Sequence, residues 1–233
     1  MKSDISKDNW EESYQRKENF IFYPKEEVVK FLNRFVRKKL GIDEFKDILN
    51  FSNGIRGFDY GCGIGRQTIL MREFGIEAYG VDISSLAIEI AKKLAIHLKY
   101  PDVAERFRIV EGRSIPFNDN FFDVTISESV LDSMYFETAK RMIREIDRVT
   151  KRLAFISLIF WDDSQHYGEF NGEEVVKTQH EKGTIQSYYN WSKINDLIKG
   201  TRFFIKWCNL VVAQSISSSE KSARYYIVLD KRS

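Results

Sequence analysis

Cysteine and histidine are scarce in this chain. Only two cysteines, Cys62 and Cys208, and three histidines occur among 233 residues. Two cysteines so far apart form neither a disulfide framework nor the repeated ligand spacing of a zinc site. No spacing of His, Cys, Asp and Glu matches a metal-binding motif. We therefore expect neither a disulfide-stabilised scaffold nor a bound metal.

Long hydrophobic runs and an excess of one charge are also missing. No apolar run approaches the roughly 20 residues that span a bilayer, and the first residues, 1–8, lack the apolar centre of a secretory signal. Lys and Arg number 36 against 34 Asp and Glu, a net charge of +2. This balance predicts no nucleic-acid or membrane partner. We expect a soluble, cytoplasmic protein, and the sequence leaves its oligomeric state open.

The chain is rich in core-forming residues, with 43% hydrophobic residues that include 18 Phe and 11 Tyr. Beyond residue 50, short apolar strands alternate with amphipathic helices, which is typical of a parallel sheet covered by helices on both faces. Strands are predicted at 55–60, 78–81, 107–110, 121–126 and 153–160, and helices at 67–74, 84–94, 139–149 and 191–199. Two final strand candidates, 203–216 and 223–229, flank a serine-rich turn and predict an antiparallel hairpin.

Two segments fall outside this alternation. Residues 1–49 are predicted to form an N-terminal arm and helix, because apolar residues recur at helical spacing from Val28 to Leu40 and Gly41 follows as a C-cap. Residues 50–233 would form the main domain, with a polar, substrate-side insertion at 162–190. The aromatic residues of the arm suit either a small satellite core or a lid.

A glycine-rich turn follows the first predicted strand, with glycines at 61, 63 and 65. Such a turn before a helix cradles a ligand, because glycine permits unusual backbone angles and close approach. A dinucleotide fold would place the third glycine one residue later, where Arg66 stands, and no Gly-Lys-Ser/Thr of a phosphate-binding loop follows. Asp59 at the turn entry would repel a pyrophosphate and would suit a ligand with an ammonium group.

The segment Phe58–Gly65 resembles motif I of class I S-adenosylmethionine-dependent methyltransferases. Four later segments, 81–84, 110–123, 126–132 and 145–151, resemble that family's other motifs in the same order. Several ordered motifs are more specific than one. The resemblance implies S-adenosyl-L-methionine as cofactor. It also implies a three-layer, Rossmann-like α/β fold whose seven-stranded sheet is mostly parallel with an antiparallel last strand.

The resemblance assigns the cofactor's methionine part and ribose to matching residues. The methionine part would lie along the glycine turn, at Asp59, Gly61, Cys62, Gly63 and Gly65. Asp82 would accept hydrogen bonds from both ribose hydroxyls. Each residue also has a structural alternative, because Asp59 suits a turn cap, Asp82 suits a helix N-cap, and Cys62 suits a small packing residue.

The remaining cofactor assignments follow the later motifs. Ile83 would pack on the adenine face, with Glu111 and Gly112 at the adenine edge. Ser127 and Glu128 would lie beneath the sulfonium. Glu111 departs from the family's usual Asp, and Asp132 stands where many relatives have His. Tyr14 is the arm residue expected beside the cofactor, by resemblance to family members with an aromatic residue there.

Methyl transfer from a sulfonium needs an acceptor held in line with the leaving sulfur in a dry pocket. An alcohol acceptor would benefit from a general base. The catalytic candidates are His180, His166 and Glu128. Both histidines lie in the 162–190 insertion, where each alone also suits a solvated loop; His180 is preferred because Glu181 adjoins it.

These observations predict an S-adenosylmethionine-dependent methyltransferase that acts on a small molecule, by O-methylation of a hydroxylated metabolite or sugar-like acceptor. An N- or protein methyltransferase and a non-catalytic cofactor-binding module remain alternatives. A decarboxylating or polyamine-forming relative would use the same cofactor cradle. The early third glycine argues against a nicotinamide-dependent oxidoreductase.

Overall fold

The computed structural model describes residues 7–49, 54–111, 114–161, 172–218 and 221–231. The helices are α1 Lys7–Gln15, α2 Glu26–Phe31, α3 Arg66–Glu73, α4 Ser85–His97, α5 Pro101–Ala104, α6 Phe136–Val149 and α7 Trp191–Ile198. The strands are β1 Arg37–Lys39, β2 Phe45–Asp47, β3 Arg56–Tyr60, β4 Glu77–Asp82, β5 Phe107–Ile109, β6 Phe122–Ser127, β7 Thr150–Ile159, β8 Glu173–Val175, β9 Ile185–Ser187, β10 Phe203–Gln214 and β11 Lys221–Lys231.

Seven strands form one sheet in the order β10-β11-β7-β6-β3-β4-β5. The five strands from β7 to β5 are mutually parallel, whereas β11 pairs antiparallel with both β7 and β10. This arrangement confirms the predicted α/β fold and its antiparallel last strand, including the C-terminal hairpin. The chain leaves β3 toward β4 on one side and later returns to β6 on the other. Ligands bind at such a switch point, outside the carboxyl ends of the strands.

Apolar side chains on alternate residues of the central strands divide the core into two layers. On one face of β7, Ala154 and Ile156 pack with the apolar stripe of α6. On the opposite face, Leu153 and Phe155 pack with α2 and α3. The period of two along a strand explains this division, because successive side chains point to opposite faces.

Helix α2 is shorter than the apolar spacing from Val28 to Leu40 predicts. Instead of continuing to Leu40, α2 ends at Phe31, a single π-helical turn covers Leu32–Val36, and β1 begins at Arg37. Tertiary contacts cause the change: β1 pairs with β2, and the Arg37 guanidinium donates to Asp47 and to the Gly75 carbonyl. The prediction that Gly41 caps a helix is therefore wrong.

The N-terminal segment packs directly on the sheet, since the Phe31 ring lies 5.1 Å from that of Phe155. The division into an arm of residues 1–49 and a domain of residues 50–233 stays a prediction. The insertion contains a short hairpin, β8–β9, that its polar sequence does not predict. In the described ranges, no helix combines the length and apolarity needed to span a membrane.

Candidate active site

The glycine turn after β3 is held against β4 by its backbone. The amides of Gly61 and Cys62 both donate to the Val81 carbonyl at 2.9 Å. Gly61 has φ +74°, and an added Cβ would lie 2.4 Å from a methyl carbon of Val130. Gly63 has φ +53°, and a Cβ there would lie 2.6 Å from the Tyr14 hydroxyl. Only glycine leaves this backbone accessible, because any side chain would clash and fill the space above it.

Asp82, the last residue of β4, bridges this turn and the start of α4. One carboxylate oxygen accepts from the Gly63 amide at 2.8 Å and the other from the Ser84 amide at 2.9 Å. Ser84 in turn caps α4 by accepting from the Ala87 amide, so the N-cap is Ser84 and not Asp82, for which the sequence leaves this role open. Burial raises the pKa of Asp82, although the hydrogen bonds from Ser84 and Gly63 oppose this. The carboxylate is thus oriented before any ligand arrives.

Asp59, at the carboxyl end of β3, is almost fully buried and accepts a 2.8 Å hydrogen bond from the Thr68 hydroxyl. Burial raises its pKa to about 7, and the Thr68 hydrogen bond and Arg66 charge oppose the rise only in part. A buried carboxylate without a full counter-charge favours a cationic ligand, because the ligand's charge offsets the desolvation cost.

Three further predicted residues lie beside this turn. Cys62 is buried and burial raises the pKa of its thiol, which suits packing rather than nucleophilic chemistry. Gly65 has φ +86° at the start of α3. Ile83 lies partly exposed on the wall of the adjoining cavity.

Above the switch point lies a cavity in two parts. The less polar part has a volume of about 90 Å³ and is lined by Tyr60, Val81, Asp82, Ile83 and Val110 among others. The polar part has a volume of about 270 Å³. The two parts meet at a shared set of lining residues: Trp10, Tyr14, Gly61, Ser129 and Ser133.

Helix α1 covers the junction of the two parts. Tyr14 is buried in a cluster with Ile64 and Ala87, and Trp10 packs against this cluster. These aromatic side chains therefore both form a small core and line the cavity, and a role as a lid stays a prediction. By contrast, Phe22 and Tyr23 are exposed.

Two side chains of α1 attach it to opposite sides of the cavity. Glu11 accepts from the hydroxyls of Ser84 and Ser85, at 2.6 and 2.8 Å, and from the Leu86 amide at 3.2 Å. These donors stand at the beginning of α4, where a carboxylate also meets the helix dipole favourably. On the other side, Asn9 donates to the Gly183 carbonyl at 2.5 Å. Helix α1 therefore joins the Asp82 side of the cavity to the 172–190 segment.

Paired charges form the floor of the polar part. Arg66 donates to Glu128 at 3.0 Å, and Arg224 donates to the fully buried Asp132 at 2.6 Å. Burial raises the pKa of Asp132, against the opposing charge of Arg224. Glu128, predicted as a cofactor contact and catalytic residue, thus lies in the cavity but is already neutralised by Arg66. Asp132 is committed to a buried ion pair.

Gln67 on α3 lines the same polar part and is 3% exposed. Neither its amide nitrogen nor its amide oxygen has a hydrogen-bond partner among the described residues. Leaving a buried polar group unpaired costs about 1–3 kcal/mol. An amino-acid tail offers partners for both atoms, because it carries an ammonium donor and a carboxylate acceptor. The side chains around the glycine turn therefore fit the methionine end of S-adenosylmethionine.

The rim of the polar part carries His180 and Glu181. The His180 side chain is 64% exposed, with Nε2 3.7 Å from the Glu181 carboxylate, whose side chain is 18% exposed. His166 and Gly112 lie outside the described residues. Among the residues that the structure describes, no group of three or more His, Cys, Asp and Glu residues is arranged to hold a metal.

Two sequence-predicted cofactor residues stand apart from the cavity lining. Glu111 is exposed after β5, and Val110 lines the cavity in its place. Ser127 is buried at the end of β6, and its hydroxyl has no partner in the described part of the chain. The cofactor contacts predicted for Glu111 and Ser127 stay predictions.

Sequence reasoning missed Glu11, Gln67 and Arg224. A signal existed for Gln67, because an amide two residues after the last glycine stands on the inner side of α3. Arg224 interrupts an apolar strand, which indicates a buried partner. Nothing local marks Glu11, since its partners lie more than 70 residues away.

Residues 58–158 match the family model described as a methyltransferase domain. Sterol 4-C-methyltransferase of Caenorhabditis elegans is 28% identical over 142 residues, which are 57% of this chain and 38% of that protein. Phosphoethanolamine N-methyltransferase 3 of Arabidopsis thaliana is 34% identical over 89 residues, 38% of this chain and 18% of that protein. The matches span about half the length or less of the curated relatives.

A solved S-adenosylmethionine-dependent methyltransferase from Methanosarcina mazei shares the fold, with a TM-score of 0.62 at 20% identity over 78% of this chain and 94% of that one. Together with the family match, this fold confirms the assignment made from the ordered motifs, and with it the cofactor S-adenosylmethionine. Residues 58–158 therefore match a methyltransferase domain, and the chain has the fold of class I, Rossmann-like S-adenosylmethionine-dependent methyltransferases.

Proposed function

We propose that the protein transfers a methyl group from S-adenosylmethionine to a hydroxyl of a small, polar acceptor. One observation carries the proposal: the less polar part of the cavity, beside Asp82, opens into a larger polar part at the glycine turn, and α1 covers their junction. A concave cavity covered by a helix suits a metabolite rather than a folded protein surface.

The cofactor supplies an electrophilic methyl group on a positively charged sulfur. The chain's own residues would bind and orient it. Asp82 would hold the ribose hydroxyls, Ile83 and Val110 would flank the adenine, and the Gly61–Gly65 backbone would follow the methionine part. Asp59 and Gln67 would receive the charged tail. Trp10 and Tyr14 would exclude water, which strengthens every electrostatic interaction inside the cavity.

The polar part would then place the acceptor. Its lining offers hydroxyl, amide and carboxylate groups, including Ser133, Asn19, Gln186 and Glu181. Such groups pair with a hydroxylated acceptor and leave an oxygen facing the cofactor. The curated relatives include a sterol C-methyltransferase and a phosphoethanolamine N-methyltransferase, so carbon and nitrogen acceptors belong in the same test.

The test is a screen of small hydroxylated compounds, with matched amines, using S-adenosylmethionine labelled in the methyl group. We expect labelled product from hydroxyl compounds and tight binding of S-adenosylhomocysteine in calorimetry. Label transferred only to amines would move the proposal to N-methylation. Absence of cofactor binding would leave a non-catalytic module of the same fold.

A further inference from the structure

Glu181 occupies an unusual position at the rim of the polar part. Its φ is +55°, a left-handed conformation that is unfavourable for a residue with a side chain. The neighbours hold it there: the Glu181 amide donates to Glu18 at 3.0 Å, and its carbonyl accepts from the amide and hydroxyl of Thr184 at 3.0 and 2.8 Å. A strained residue that its surroundings hold this firmly points to a function of its side chain.

The other carboxylates of this part are already engaged. Glu128 pairs with Arg66, and Asp132 pairs with Arg224. Asp59 lies at the cofactor end, hydrogen-bonded to Thr68. Glu181 lines the cavity, and Nε2 of the exposed His180 lies 3.7 Å from its carboxylate. Unlike Glu128 and Asp132, Glu181 is therefore not paired with an arginine, and its carboxylate can accept a proton without breaking such an ion pair.

We propose that Glu181 is the general base that takes the proton from the acceptor, and that Glu18 of the N-terminal segment is its positioning residue. The inference rests on the proposed function, because it names the proton acceptor for that reaction. As the acceptor oxygen bonds to the methyl carbon, the carbon–sulfur bond breaks with its electron pair left on sulfur, and the hydroxyl proton passes to the Glu181 carboxylate. His180 then offers a route to water.

Electrostatics around Glu181 suit this task. Burial raises the pKa of its carboxyl, while the charge of His180 and a hydrogen bond from Asn19 oppose the rise, and Asp132 and Glu18 reinforce it. Tyr14 also faces Glu181, and burial raises the Tyr14 pKa well above its usual range. A base must be deprotonated to act, so turnover falls as the pH drops through the raised Glu181 pKa.

The experiment compares the wild type with Glu181→Gln, which keeps the size of the side chain. We expect Glu181→Gln to slow methyl transfer to the acceptor found in the labelled screen by about 10²–10⁴-fold. S-adenosylhomocysteine affinity should stay within about twofold. The acidic limb of the pH–rate profile should disappear when the rate is measured at saturating S-adenosylmethionine, which removes any pH dependence of cofactor binding. Glu18→Gln should slow transfer less and retain that limb, displaced to lower pH, because Glu18 holds the Glu181 backbone and its charge helps to raise the Glu181 pKa. Glu105→Gln, an exposed change after α5, is the matched control.

Equal rates and equal acidic limbs for Glu181→Gln and the wild type would overturn the assignment. If His180→Gln rather than Glu181→Gln removed the limb, the proton would go to the histidine. If the wild type bound S-adenosylhomocysteine yet methylated no compound in the screen, the proposed function would fail first, and this outcome is distinct from the failure of Glu181 alone.

Discussion

The two halves of the cavity are assembled in different ways. The half proposed for the cofactor is the less polar part together with the glycine turn. Its strand-end residues come from consecutive elements, since the ends of β3, β4 and β5 lie within residues 59–110, and Trp10, Tyr14 and residues between 129 and 134 complete it. The acceptor half draws residues from positions as distant as Asn19, Glu128, Glu181 and Arg224. The geometry of the first half depends mainly on neighbouring strand ends of one sheet. The geometry of the second half depends on contacts between distant segments.

The largest expected effect would test the cofactor half directly. Gly63→Val should abolish S-adenosylhomocysteine binding, more than about 100-fold in Kd, because a Cβ would lie 2.6 Å from the Tyr14 hydroxyl at a backbone φ of +53°. Calorimetry measures the loss and circular dichroism checks the fold. Gly200→Ala is the control: Gly200 also has positive φ, but its Cβ would meet open space. Normal binding by Gly63→Val would contradict the proposal that the glycine turn holds the cofactor.

Asp82→Ala comes next in size. Loss of a carboxylate that receives hydrogen bonds from a ligand should weaken S-adenosylhomocysteine binding by about 1.5–3 kcal/mol. Titration calorimetry at constant pH gives the value. Asp102→Ala removes a carboxylate that pairs with Arg72 and Arg106 away from the cavity, so it should leave affinity unchanged. Unchanged affinity for Asp82→Ala would remove this residue from the site.

Asp59 predicts a pH dependence of cofactor affinity. Its pKa of about 7 in the free protein means that the carboxyl is largely protonated below pH 7 and charged above it. A ligand ammonium prefers the carboxylate, so affinity should rise as the pH rises through 7. Binding at pH 6 should release up to about one proton, measured by calorimetry in buffers of different ionisation enthalpy. Affinity that is flat from pH 5.5 to 8 would contradict this role.

The smallest effect concerns the connection between the halves. Glu11→Ala removes the hydrogen bonds that hold α1 to Ser84 and Ser85, so α1 should open more often. We expect S-adenosylhomocysteine to dissociate several-fold faster, with an affinity loss of about 1 kcal/mol. Stopped-flow fluorescence of the cavity-lining Trp10 reports the rate. Glu12→Ala, whose partner is the surface residue Arg16, is the control, and equal dissociation rates would refute the connection.

Most of the sheet and the glycine turn were predictable, because their signals are local. A strand ending at glycines, an acidic residue at the end of the next strand and a serine cap each lie within a few residues of the structure they specify. The helix predicted to reach Leu40 failed because strand pairing of β1 with β2 outweighed helical periodicity. The β8–β9 hairpin was missed because each strand is only three residues long and β8 has no buried residue, so no hydrophobic period is visible.

By itself, the sequence determined the order of most strands and helices and the glycines that keep the turn open, since backbone conformation and hydrophobic periodicity depend on neighbouring residues. Its ordered motifs also indicated S-adenosylmethionine as the cofactor. Only the tertiary structure decided where α1 lies, which carboxylates are neutralised, and that Glu181 faces the cavity while His180 faces solvent. Those outcomes depend on contacts between residues far apart in the chain, where burial and opposite charges set the energy.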